Sequence, residues 1–154
     1  MKPVRSINRH VSLLFRMGER FLNRELAGSG ISSGTAPLLL ELRGGEGRSP
    51  AALAAAIGID KAYITRALQS LKQSGYVAVV PHTQDGRSIT VSLTPAGQAA
   101  AAKVEDAMRA WLTIVSREVS QADLDIVNAV FDQFYANAQE YFASRSPLSP
   151  GGSD

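Results

Sequence analysis

The residues of this chain best suited to chemistry form a row of hydrogen-bond donors. From position 61 the sequence runs Lys-Ala-Tyr-Ile-Thr-Arg-Ala-Leu-Gln-Ser-Leu-Lys-Gln. Ile64, Leu68 and Leu71 recur at helical spacing and, with Ile57 and Ile59 just upstream, predict a buried seam. Lys61, Ala62, Tyr63, Thr65, Arg66, Gln69, Lys72 and Gln73 then remain exposed. Donors and small groups on one helix face suit phosphate oxygens and base edges. Asp60, the nearest carboxylate, stands where it would cap the helix instead. A second donor is Arg87, in the run His82-Thr-Gln-Asp85-Gly86-Arg87 between two β-branched segments. A guanidinium held at a hairpin tip can enter a narrow minor groove. Asp85 would orient it, or pair with Arg66 and tie the hairpin to the helix. The plainer alternatives are two packed helices with a solvated face, and a turn built from ordinary turn residues.

Other chemistries have little material. There is no cysteine, so disulfides, thiolate metal sites and cysteine nucleophiles are excluded. The two histidines, His10 and His82, lie far apart, which argues against a histidine metal site. No nucleophile–base–acid set and no phosphate loop is present. The reading is a non-enzyme with no cofactor and no metal. Arg5 and Arg9 interrupt the start of the chain, and no stretch is apolar enough to span a bilayer. The expectation is a cytoplasmic protein with no membrane partner. The net charge is only +2, but the first half of the chain is basic and residues 98–144 are acidic. That asymmetry would turn the molecule towards a polyanion.

The elements that must position these donors follow from periodicity and punctuation. Residues 6–26 read as an amphipathic helix ended by Gly28-Ser-Gly30, and residues 35–43 as a short one with Pro37 in its first turn. Ser49-Pro50 opens a third helix that stops at Gly58, and Asp60 caps a fourth, Lys61 to Ser74, ended by Gly75. Ala54, four residues before Gly58, would let these two helices cross closely, and Gly58 would make the left-handed turn. The period then changes. Residues 76–80 and 88–93 read as a β-hairpin, with Ile89, Val91 and Leu93 facing inward. Thr94-Pro95 restarts helix to Val115, and Ser120 opens a last helix through Phe142. Residues 145–154 are rich in Ser, Pro and Gly and read as a disordered tail. The fold class is mainly α with one small hairpin.

The stretch Asp85-Gly-Arg87-Ser-Ile-Thr-Val91-Ser-Leu93-Thr94-Pro-Ala-Gly97 resembles the wing signature D-x-R-x-x-x-V-x-L-T-x-x-G of the multiple antibiotic resistance regulator (MarR) family at every defined position. Thr65-Arg66 and Leu71-x-x-x-Gly75-x-Val77 resemble that family's recognition helix, and Leu53-Ala54 and Ile57-Gly58 the helix before it. The resemblance covers residues 49–97 closely, and the flanking helices in order and length only. It implies a winged helix-turn-helix over about residues 35–97, with dimerisation helices at about 6–26 and 95–144, in one domain spanning 1–144. It implies a homodimeric DNA-binding transcription regulator, usually a repressor, that reads a pseudo-palindrome in double-stranded DNA. The DNA-binding residues would be Lys61, Ala62, Tyr63, Thr65, Arg66, Gln69, Lys72, Asp85 and Arg87. It also implies release by a small aromatic or phenolic effector. Phe15, Arg16, Phe21, Leu42 and Trp111 are the candidate pocket, with Arg16 meeting a carboxylate. Thiol-based sensing is excluded by the lack of cysteine. The alternative is a winged-helix module that binds protein and has no specific DNA target.

Overall fold

The computed structural model describes residues 5–81 and 89–144, apart from the side chain of Arg5. The chain forms two compact units, residues 1–113 and 114–154. The first holds α1 (Arg5–Glu25), α2 (Ala36–Glu41), α3 (Pro50–Ile57), α4 (Lys61–Gln73), β1 (Val77–Pro81), β2 (Ile89–Leu93) and most of α5 (Pro95–Val115). The second holds the end of α5 and α6 (Gln121–Ala143).

Local chemistry sets the helix ends. Ser49 and Asp60 both stand in extended backbone and accept from the third residue on, Ser49 Oγ from Ala52 N at 3.1 Å and Asp60 Oδ1 from Tyr63 N at 2.8 Å. Each satisfies a donor that the first helical turn would otherwise leave unpaired. Gly58 ends α3 in the left-handed region, φ +73°. Its N–H and that of Ile59 both donate to Ala54 O, at 2.9 and 3.2 Å. That double closure swings the chain from α3 into α4 within three residues. Before α2 a different device operates. Thr35 makes no side-chain cap to the helix; its Oγ1 accepts from Ser32 N at 2.9 Å, which folds residues 32–35 into a compact polar turn.

The core of the first unit is aliphatic. Leu38, Leu39, Leu42, Leu53, Ile64, Leu71, Val91 and Val104 are its largest fully buried side chains. α4 contributes Ile64, Ala67, Leu68 and Leu71, at the three- and four-residue steps that place side chains on one stripe. Ile57 and Ile59 are only partly buried and pack at the edge of this core. β1 and β2 pair antiparallel, Val77 opposite Leu93 and Pro81 opposite Ile89. The inward alternation expected for β2 holds at Val91, which is fully buried, and in part at Leu93. Ile89 departs from it and is 41% exposed. Ile89 pairs with exposed Pro81, two residues beyond the buried Val91 on the same face, where the core thins out.

In the second unit Ser120 caps α6 by accepting from Asp123 N at 3.1 Å. α6 has no fully buried residue, and Val127, Val130, Phe131, Phe134, Tyr135 and Phe142 are all exposed.

Candidate functional site

α4 presents the donor row to solvent. Lys61, Ala62, Thr65, Arg66, Gln69 and Lys72 are exposed, opposite the buried stripe. Among the described residues, Lys61, Arg66 and Lys72 form no ion pair. Three cations on one helix face, unpaired among the described residues, offer their charge to a polyanion. Thr65 Oγ1 donates to Lys61 O at 2.9 Å, which keeps the hydroxyl close to its own helix. Tyr63 departs from the expected face. It is partly buried, and its hydroxyl lies where a Cβ on Gly34 would stand, against the turn before α2.

The hairpin that follows is anchored at its base. Thr94 N donates to Tyr76 O at 3.0 Å, and Thr94 Oγ1 donates to Gly75 O at 2.6 Å. The same Oγ1 accepts from Gly97 N at 3.0 Å, the N-cap bond of α5. Gly97 lies directly on the Tyr76 carbonyl: a Cβ there would overlap that oxygen and meet Leu93 Cδ2 at 3.2 Å. Thr94 and Gly97 therefore lock the start of α5 to the end of α4 and the first strand. At the other edge, Arg48 and Val91 exchange both backbone hydrogen bonds, Arg48 N to Val91 O at 2.9 Å and Val91 N to Arg48 O at 2.8 Å. The hairpin base is thus fixed on one side to α4 and α5 and on the other to the approach to α3. Asp85, Arg87 and the pairing of Asp85 with Arg66 lie outside the described residues.

A cavity of about 700 Å³ opens behind α4. α1 contributes Leu14, Phe15, Gly18, Glu19 and Leu22; the turn before α2 contributes Ser33 and Gly34; α2 contributes Ala36, Pro37 and Leu40. Ile57 and Ile59 from the α3–α4 turn, Tyr63 from α4, and Met108 and Trp111 from α5 complete it. This is the size of a small-molecule site, and its walls are chiefly apolar. Gly18 makes room for the indole of Trp111, whose Nε1 would be 3.2 Å from a Cβ at that position. Trp111 also borders a smaller hollow, about 280 Å³, with Met17, Arg20, Phe21 and Arg24. There the Phe21 and Trp111 rings lie 5.5 Å apart.

Of the five pocket candidates read from sequence, Phe15 and Trp111 line the large cavity and Phe21 the small one. Arg16 and Leu42 line neither. Arg16 is solvent-exposed, and Leu42 is 2% exposed within the core. The turn residues Ser33 and Gly34 and the recognition-face residue Tyr63 carry no apolar period, so periodicity gave no signal for them.

The family model described as MarR family matches residues 29–88. The structure is similar to a MarR transcriptional regulator from Methanosarcina mazei Go1, with 26% identity and a TM-score of 0.79 over 88% of this chain and 98% of that one. Residues 29–88 thus match the MarR family, and the structure has the winged-helix fold of MarR-family transcription regulators. Two further structures share the fold. The transcriptional regulator SlyA has 14% identity and a TM-score of 0.85 over 91% of this chain and 99% of its own. A mutant MarR from E. coli complexed with operator DNA has 19% identity and a TM-score of 0.75 over 84% and 93%. No curated protein matches the sequence. In MarR-family terms α3 and α4 are the helix-turn-helix and β1–β2 the base of the wing. Among the described residues no helix is long and apolar enough to cross a membrane, and no group of three His, Cys, Asp or Glu is placed to hold a metal.

Proposed function

We propose that this regulator is a ligand-responsive repressor that binds a pseudo-palindromic operator as a homodimer in the cytoplasm. The observation that carries the reading is the face of α4: Lys61, Ala62, Thr65, Arg66, Gln69 and Lys72 exposed, with Ile64, Ala67, Leu68 and Leu71 buried behind them. In this reading Lys61 and Lys72 hold phosphates, while Arg66 and Gln69 meet base edges in the major groove. Arg87, oriented by Asp85, enters the neighbouring minor groove. The relative bound to operator DNA supports the same use of the fold. Exposed Ile7, Val11 and Leu14 on α1 and Phe131, Phe134 and Phe142 on α6 supply apolar surface for a second copy. Two copies would then set two recognition helices on successive major grooves.

The cavity gives the response. It touches α4 through Tyr63 and the α3–α4 turn through Ile57 and Ile59. A ligand seated there would displace the Tyr63 ring and shift the helix that reads DNA. The test is a gel shift at low salt on DNA from upstream of the protein's own gene. A retarded band that disappears with Arg66→Ala supports the reading. No retarded band with the unmodified chain favours a winged helix used for protein contact.

A further inference from the structure

The charge of the cavity wall points to the class of ligand. Among the described residues, Glu19 is the one charged side chain that lines the large cavity, and no Lys, Arg or His does. Glu19 is partly buried, and Ser33 Oγ donates to its Oε1 at 3.5 Å. Ser33 is itself fixed: its N–H donates to Asn23 Oδ1 at 2.7 Å, and Asn23 Nδ2 donates to Ser33 Oγ at 3.2 Å. The carboxylate is therefore held at the rim between α1 and the turn before α2. The nearest arginines in sequence do not offset it inside the cavity. Arg16 is exposed and lines no cavity, and Arg20 lines the separate hollow beyond Trp111.

We infer that the cavity takes an uncharged or cationic hydrophobic molecule and rejects carboxylates, with Glu19 as the residue that sets this choice. An anion entering an apolar enclosure loses hydration and gains no cation in return. A carboxylate already on the wall adds like-charge repulsion. A cation gains that same carboxylate as its partner, and a neutral aromatic or aliphatic group needs only the apolar walls. Of the small aromatic or phenolic effector that the family resemblance implies, this keeps the apolar ring and reverses the carboxylate assigned to Arg16. The inference rests on the cavity being the effector site.

Trp111, the chain's sole tryptophan, lines the cavity, so its fluorescence reports occupancy without DNA. The test titrates the full chain with three probes of one shape: 4-phenylbutanol, 4-phenylbutylamine and 4-phenylbutyrate. Their phenyl rings leave tryptophan excitation at the red edge undisturbed. The alcohol and the amine are expected to bind about tenfold or more tightly than the acid. Glu19→Gln should remove the amine's advantage over the alcohol and bring the acid close to it. Leu40→Phe, which narrows the cavity, should weaken all three. Equal or tighter binding of the acid to the unmodified chain overturns the inference, as does a ranking that Glu19→Gln leaves unchanged or no response to any probe. The unmodified chain alone decides the ranking, whether or not a variant folds. DNA release is measured separately. If the alcohol binds and DNA stays bound, the effector reading fails while the ligand class stands.

Discussion

Gly97→Ala isolates the contact on which the wing's attachment depends. By helix propensity alone the change should help, since Ala is favoured over Gly inside a helix by roughly 0.5–1 kcal/mol. Here the new methyl group would overlap the carbonyl oxygen of Tyr76, a backbone atom that cannot rotate aside. That oxygen also accepts from Thr94 N at 3.0 Å, so moving it strains the hydrogen bond that starts α5. Overpacking of this kind costs about 1–3 kcal/mol, and a weakened hydrogen bond about 1 kcal/mol more. Against the propensity gain, the net is a loss of about 2 kcal/mol, or a melting temperature lower by about 4–8 °C for a chain of this size. Thermal denaturation followed by circular dichroism measures it. Gly44→Ala is the control, because a Cβ there meets nothing within 4 Å; it should change stability by no more than about 0.5 kcal/mol. A Gly97→Ala protein that melts at or above the unmodified temperature would refute the packing argument.

Three further outcomes follow from the same geometry. Thr94→Val keeps the shape but removes the α5 cap and the bond to Gly75 O, and should cost about 1–2 kcal/mol in chemical denaturation. Leu53→Ala, at a fully buried position on α3, should cost about 2–5 kcal/mol by the same measurement. Phe134→Asp on the exposed face of α6 should shift the chain from dimer to monomer in light scattering, with its helix content unchanged; an unaltered mass would remove α6 from the dimer interface.

Much of the fold was legible because its punctuation is chemical and local. Ser49, Asp60 and Ser120 are caps wherever a helix follows them, and Gly58 and Gly75 mark backbone that other residues adopt reluctantly. The buried stripe of α4 was legible from period alone. What period cannot show is the space behind a helix. Tyr63 sits on the solvent side by counting, yet Gly34 leaves room for its hydroxyl, so the ring turns into the cavity. Phe15 on α1 and Leu42 at the end of α2 are both apolar. Only the packing of α1, α2 and α5 makes one a core residue and leaves the other on a cavity wall. Arg16 and Glu19 differ in the same way: three residues along one helix decide which charge lines the cavity. Ile89 looked inward by alternation, but the core ends before the strand does.

Recognition of DNA by two copies of α4, through the face centred on Arg66, is tested by selection of bound genomic fragments with the purified protein and sequencing of what is retained, for the unmodified chain and for Arg66→Ala. The recovered sites should hold two inverted half-sites centred about 10 base pairs apart, and the variant should lose that enrichment. Fragments with no shared sequence, or the same enrichment with Arg66→Ala, would contradict it.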